Sequence, residues 1–151
     1  MEPKPSDLQW RLHQLKEGLK LSGVKLTHQR LEICREIAKA TNHPDAEAVY
    51  KGVHERMPTI SLDTVYRTLW LLLDLELINT LGTPRESMRF DGNTAPHHHF
   101  VCTKCGDARD FYSEDFDHLH VPENVKTYGI VQKTRVEVRG ICFQCSKATD
   151  R

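Results

Sequence analysis

The sequence predicts an α/β chain of the two-domain α+β kind: a helical bundle closed by a hairpin, then a small mixed α/β unit. Three observations lead there. Four segments with helical apolar spacing follow one another through about residue 77, and two short strand-like runs come after them. From Asp91 onward the pattern changes to short strands separated by loops. Two CxxC pairs, Cys102 with Cys105 and Cys142 with Cys145, bracket most of this second part. A length of 151 residues with 38% hydrophobic and 28% charged side chains suits a soluble globular chain holding one ordinary domain or two small ones.

The first helix carries Leu8, Leu12, Leu15 and Leu19 and ends near Ser22 and Gly23. Thr27 is the expected N-cap of a second helix running to about Ala40, with Leu31, Cys34, Ile37 and Ala38 on its apolar face. Cys34 is therefore read as a buried, inert thiol. Asn42-His43-Pro44-Asp45 breaks that helix, and Asp45 caps a third that carries Ala48, Val49, Val53 and Met57 and stops at Pro58.

Ser61 opens a fourth helix, SLDTVYRTLWLLLDLEL, with Leu62, Val65, Leu69 and Leu72 as its stripe. Asp63, Tyr66, Arg67 and Trp70 face away from that stripe. An arginine and a tyrosine on a free helix face suit reading of a DNA major groove, where guanidinium pairs bidentately with guanine. A surface helix carrying an Asp63–Arg67 pair explains the same residues. LINTLG and ESMRFDG then read as two strands joined at Thr83-Pro84-Arg85, and a hairpin after such a helix is a wing, which favours DNA. Net charge is zero, so a nucleic-acid surface must be local; Lys20, Lys25, His28, Arg30 and Arg35 form such an edge.

In the second part HHFVCT, ARDFY and VQKTRVEVRGIC read as strands, with SEDFDHLH as a short helix between. Five cysteines, four of them in CxxC spacing, point to metal in a reducing compartment rather than to disulfides. Four thiolates match a tetrahedral structural Zn²⁺ that fastens the last strand to the middle of the domain. His97 to His99 beside it suggest a second metal with nitrogen and oxygen ligands. His97 and His99 share one strand face, and His98, opposite, is read as solvated or supporting. His118 and His120 are read as surface residues. No apolar run approaches a membrane span, and MEPKPSDLQW carries no basic-then-apolar leader; a cytoplasmic protein without a membrane partner is expected.

Taken in order, these elements resemble the ferric uptake regulator (Fur) family of metal-dependent repressors from about Leu12 to Cys145. Thr27-His28-Gln29-Arg30 is similar to the family's T-x-Q-R, with His28 in place of the usual proline or leucine. Ser61 to Leu69 looks like its recognition helix, Asn42-His43-Pro44 its histidine turn, Arg89-Phe90-Asp91 the end of its wing, and His97 to Cys102 its histidine segment. The resemblance implies a winged-helix DNA-binding domain over 1–83, a wing end and hinge over 84–94, and a dimerisation and metal-binding domain over 95–151.

It further implies a homodimer on a palindromic double-stranded DNA operator. Carried over, the regulatory ligands are His43, Asp91, His97, His99 and Asp110, holding Fe²⁺ or Mn²⁺, while Lys25, Arg30, Ser61, Thr64, Tyr66 and Arg67 meet DNA. Lys25 is the minor-groove residue by the same resemblance. Places that supply a further metal site in some members are here Pro96 and Thr134.

Asp rather than Glu at 91 and 110 resembles the peroxide-sensing branch (PerR), in which iron-catalysed oxidation of a ligand histidine, here His43 or His97, releases DNA. The alternative within the family is an uptake regulator that reports iron or zinc concentration. An alternative from another class, a zinc hydrolase using the histidines, lacks an HExxH-type general base.

Overall fold

The structure, a computed structural model, describes residues 8–40, 43–81 and 88–149. It divides into two compact units between Ala95 and Pro96. Among the described residues no helix is long and apolar enough to cross a membrane.

In the first unit α1 (Leu8–Leu21) buries Leu15 and Leu19. It ends as expected because Gly23 takes φ +72°, which turns the Gly23 and Val24 N–H groups onto the Lys20 and Leu19 carbonyls, each at 3.0 Å. α2 (His28–Lys39) begins where Thr27 accepts the Arg30 N–H at 3.2 Å. Its buried face is Ile33, Cys34, Ile37 and Ala38, two i, i+4 pairs; Leu31, expected there, is only half-buried. Cys34 is fully buried, which pushes its thiol up to about 12 and leaves it inert.

α3 (Ala46–Arg56) is capped by Asp45, which accepts the Ala48 N–H at 2.8 Å. Ala46, Val49 and Val53 point inward at 3-and-4 spacing, so Ala48, expected in the stripe, faces solvent. Arg56 joins α3 to α2 by donating from Nε to Glu32 at 2.9 Å and from Nη2 to Glu36 at 3.0 Å. A Cβ at Gly52 would overlap the Glu36 carboxylate, so glycine is what permits this approach.

α4 (Leu62–Asp74) starts at Ser61, which accepts the Thr64 N–H at 3.1 Å. Val65, Leu69 and Leu72 are buried as expected, but Leu62 lies at the rim, 36% exposed, and Thr68 completes the buried stripe. The Thr68 hydroxyl is satisfied by donating to the Thr64 carbonyl at 2.9 Å. The helix stops short of the expected Leu77 because Glu76 takes φ +58°. Glu76 and Leu77 N–H groups fold back onto the Leu73 and Leu72 carbonyls, both at 2.9 Å.

β1 (Asn79–Leu81) and β2 (Arg89–Asp91) then pair antiparallel with Thr80 opposite Phe90, giving the hairpin of a winged helix; its turn at Thr83-Pro84-Arg85 lies outside the described residues. Phe90 is buried in the bundle core.

The second unit is a three-stranded sheet of order β4-β3-β5, from β3 (His98–Cys102), β4 (Ala108–Phe111) and β5 (Glu137–Gly140). β4 runs antiparallel to β3 and β5 parallel to it. β4 itself returns the chain to the start of β3, where Phe111 lies opposite His98, and residues 112–136, with α5 (Glu114–Asp117) and α6 (Glu123–Lys126), carry it past β3 to begin β5 on the other side. The strand expected over VQKTRVEVRGIC is therefore much shorter, since only Glu137–Gly140 has β3 to pair with. α7 (Phe143–Thr149), not foreseen in the sequence, follows. Beyond residue 95 the buried apolar side chains among the described residues are Cys102 and Ala108.

A non-glycine side chain in the left-handed region costs roughly 1–2 kcal/mol, part of which glycine returns through the unfolded chain's entropy. Glu76→Gly is expected to stabilise the first unit by about 1 kcal/mol in urea unfolding of the zinc-loaded protein. An unchanged or lowered midpoint would show that the cap carries no strain.

Candidate metal centres and the exposed helix

Parallel pairing builds the thiol cluster. It sets Cys102 at the end of β3 opposite Gly140, so the chain leaving β5 delivers Cys142 beside it and α7 delivers Cys145. The Thr103 N–H holds this junction by donating to the Gly140 carbonyl at 2.8 Å. Between Cys102 and Cys105 the chain turns tightly, with Gly106 at φ +77° donating to the Cys102 carbonyl at 2.9 Å.

All four sulfurs lie within 4.8 Å of one another, and Cys105 Sγ is 3.8 Å from Cys142 Sγ. A tetrahedron with Zn–S bonds of about 2.3 Å has edges of about 3.8 Å, so the residues fit a zinc ion held by four thiolates. Backbone N–H groups of Cys105, Cys142 and Lys104 hold the Cys102 thiol down at about 6, whereas Cys142 and then Cys105 push Cys145 up to about 12. Four thiols this close cannot all ionise without a cation among them.

Two smaller groups of imidazole and carboxylate lie one in each unit. In the first unit Phe90 N–H donates to the Pro44 carbonyl at 2.9 Å, which lays the 43–45 turn along β2. His43, at φ +51°, thereby comes to 3.9 Å from Asp91 (Nε2 to Oδ2), both side chains being buried. Asp91 Oδ1 accepts the Asn93 N–H at 2.9 Å, leaving its other oxygen toward His43.

In the second unit the β3–β4 register sets His99 opposite Asp110. Asp110 Oδ1 lies 3.3 Å from His99 Nε2 and 3.8 Å from His97 Nε2, and the two rings meet edge to face at 4.7 Å. Both sets are rich in hard and borderline donors and free of sulfur, a chemistry that suits Fe²⁺, Mn²⁺ or Zn²⁺.

His98 is not solvated. It is buried on the opposite face, accepts the Val136 N–H on Nδ1 at 3.1 Å and so donates from Nε2 to Asp117 at 2.9 Å. Phe111 and Phe116 pack against its ring. It fastens the crossover to β3. His118 and His120 are exposed, and among the described residues neither belongs to a group of three metal-ligating side chains. Arg135, which no sequence signal marked, reaches His97: its Nη2 lies 3.5 Å from His97 Nε2.

The residues expected to meet DNA fall on two faces of the first unit. Arg30, Thr64 and Arg67 line one cleft with Thr27 and Gln29, where the start of α2 faces α4. Tyr66 lines another with Trp70 and Met88. Arg67 is 81% exposed and pairs with Asp63 at 2.9 Å, so the surface ion pair exists on a helix whose face is nonetheless free. Ser61 and Thr64 hydroxyls bond each other at 2.9 Å within the cap, and Lys25 is exposed, its carbonyl accepting from Arg30 Nη1 at 2.7 Å.

Residues 21–139 match the Ferric uptake regulator family. The chain is 32% identical over 139 residues to the peroxide-responsive repressor PerR of Staphylococcus epidermidis, covering 89% of this chain and 92% of that one. It is 34% identical over 138 residues to the peroxide operon regulator of Bacillus subtilis, covering 89% and 95%. Among solved structures, the ferric uptake regulator of Francisella tularensis with iron superposes with a TM-score of 0.66 at 26% identity, covering 82% of this chain and 96% of that one.

With so little apolar burial in the second unit, the thiolate cluster is expected to carry its order. Cys142→Ser should lose bound zinc, measured as metal per chain after dialysis, together with the near-ultraviolet dichroism of that unit. Full zinc retention would exclude Cys142 as a ligand.

Proposed function

The chain belongs to the ferric uptake regulator family of metal-responsive transcriptional repressors, and from that premise we propose that it senses hydrogen peroxide and releases operator DNA when a ligand histidine is oxidised. Proteins of this family regulate transcription and are not enzymes. The observation that carries the reading is the pairing of aspartates with imidazoles in both units, His43 with Asp91 and His99 with Asp110, in a chain whose relatives include peroxide-responsive repressors.

In this reading His43, Asp91, His97, His99 and Asp110 together hold one regulatory Fe²⁺ or Mn²⁺, and Cys102, Cys105, Cys142 and Cys145 hold a structural Zn²⁺. Because His43 and Asp91 belong to the first unit and the other three ligands to the second, shared ligation couples the two units. The DNA-binding form is a homodimer in the cytoplasm. Dimerisation is supported by Tyr128, Ile130 and Phe143, each more than four-fifths exposed on a unit with almost no apolar core of its own.

Fe²⁺ held by these residues would activate peroxide, chemistry that Mn²⁺ does not readily perform. In the overall step a ring carbon of His43 or His97 would exchange C–H for C–O, the imidazole giving up two electrons, one peroxide oxygen entering the ring and the other leaving as water. The altered ring would lose its hold as a ligand. Arg67 and Tyr66 of α4 enter the major groove, Arg30, Ser61 and Thr64 contact the DNA beside them, and Lys25 approaches the minor groove.

The test is peptide mass spectrometry of protein loaded anaerobically with Fe²⁺ or Mn²⁺ and given a small peroxide excess, with operator binding followed alongside. A one-oxygen gain on the peptide holding His43 or His97, with iron alone and in step with lost binding, is expected. Unmodified histidines and binding that tracks metal concentration would instead mark an uptake regulator, the function named for the Francisella tularensis relative.

On DNA, Arg67→Ala is expected to relax specificity by about 1–3 kcal/mol at the base it reads. Lys25→Ala is expected to weaken binding to all sequences and to reduce the salt slope by about one. Salt titrations on operator and scrambled duplexes separate the two, and equal specificity ratios for Arg67→Ala and the parent would remove Arg67 from base reading.

A further inference from the structure

The β3–β5 pairing carries a charge to the histidine pair. His99 stands opposite Glu137 and Cys102 opposite Gly140, so the same offset, continued toward the N-terminal end of β3, sets Arg135 beside His97. Its backbone there is clamped from both sides: His99 N–H donates to the Val136 carbonyl and Val136 N–H to His98 Nδ1, each at 3.1 Å. Arg135 therefore moves away from His97 only by rotating its side chain. Glu137, two residues on, is already engaged by Arg139 Nε at 2.9 Å.

We propose that Arg135 sets the affinity of the regulatory site by competing with the metal ion for His97. This rests on His97 being a regulatory ligand. His97 Nε2 is the nitrogen that faces Asp110, at 3.8 Å, and it is also the nitrogen 3.5 Å from the Arg135 guanidinium. An imidazole nitrogen has one lone pair. It can accept from a guanidinium or bind a metal, not both.

Arginine does not lose its proton in proteins, so the conflict is not removed by deprotonation. The His97 side chain has no exposure, so repulsion between guanidinium and a divalent ion beside it is weakly screened. Metal binding must both displace the guanidinium and tolerate its charge. An affinity lowered in this way makes occupancy follow the supply of metal instead of saturating at trace levels.

The experiment titrates Mn²⁺ into full-length, zinc-loaded protein under anaerobic conditions, counting free Mn²⁺ by electron paramagnetic resonance. Arg135→Gln and Arg135→Met are expected to bind Mn²⁺ about tenfold more tightly than the parent, and Arg135→Lys, which keeps the charge, within about threefold of it. Thermal unfolding before Mn²⁺ addition, unchanged among the variants, establishes that the fold is intact. His97→Ala is the control for the ligand reading and is expected to weaken binding.

If His97→Ala weakens binding while Arg135→Gln and Arg135→Met leave it unchanged or weaker, the role given to Arg135 is overturned and the ligand reading stands. A lysine variant as tight as the glutamine variant overturns it as well, since the charge would then be irrelevant. If His97→Ala binds like the parent, His97 is not a ligand and both fail together.

Discussion

Parallel pairing of β3 with β5 joins chain segments 38 residues apart, and the chemistry of the second unit follows from that one offset. Running along β3, it brings Arg135 to His97, Val136 to the backbone of His99 and the ring of His98, and Gly140 to Cys102, beyond which the second CxxC pair arrives. A slip of one residue would turn the alternate side chains of β5 to the other face and move the second cysteine pair off the first. A zinc ion held by the four thiolates would oppose such a slip, since ligation would be lost if the register changed. His98 opposes it too, by accepting from one backbone position and donating to Asp117.

The two units reach stability by different routes. The first has a continuous core, from Leu15 and Leu19 through Ile33, Val49, Val65 and Leu69 to Phe90, with α2, α3 and α4 capped at their starts by Thr27, Asp45 and Ser61. Burial of apolar surface, at about 25 cal/mol per Å², contributes most of the stabilisation there. In the second unit three histidines occupy buried positions that an ordinary small domain would fill with aliphatic side chains. Metal ligation, strand pairing and association with a second copy must replace what the core lacks.

This division suits a metal switch. Under the proposed ligand set, His43 with Asp91 and His97 and His99 with Asp110 would each be an incomplete set of donors, and an ion that needs both would select among arrangements of the units. Each pair is positioned within its own unit. The 43–45 turn is tied to β2 through Phe90 and Pro44, and the two histidines of β3 are held by strand register. On that reading, oxidation of one imidazole would remove a ligand that both units rely on.

Much of this was legible in the sequence because it depends on local rules. Helix starts follow from capping side chains, the end of α1 from a left-handed glycine, and the thiol cluster from paired CxxC spacing that suits a metal better than a redox dithiol. Motif order carried the histidines and aspartates of the candidate site. Local spacing did less well at the edges of the core: it favoured Leu31, Ala48 and Leu62 over Ile33, Ala46 and Thr68, because which side of a broad apolar face is buried depends on the neighbouring helix. It also drew β5 too long, since a strand extends only as far as its partner. Arg135 lay outside any motif. Its approach to His97 is a property of two strands distant in the chain, and a contact of that kind exists only once the tertiary structure has chosen their register.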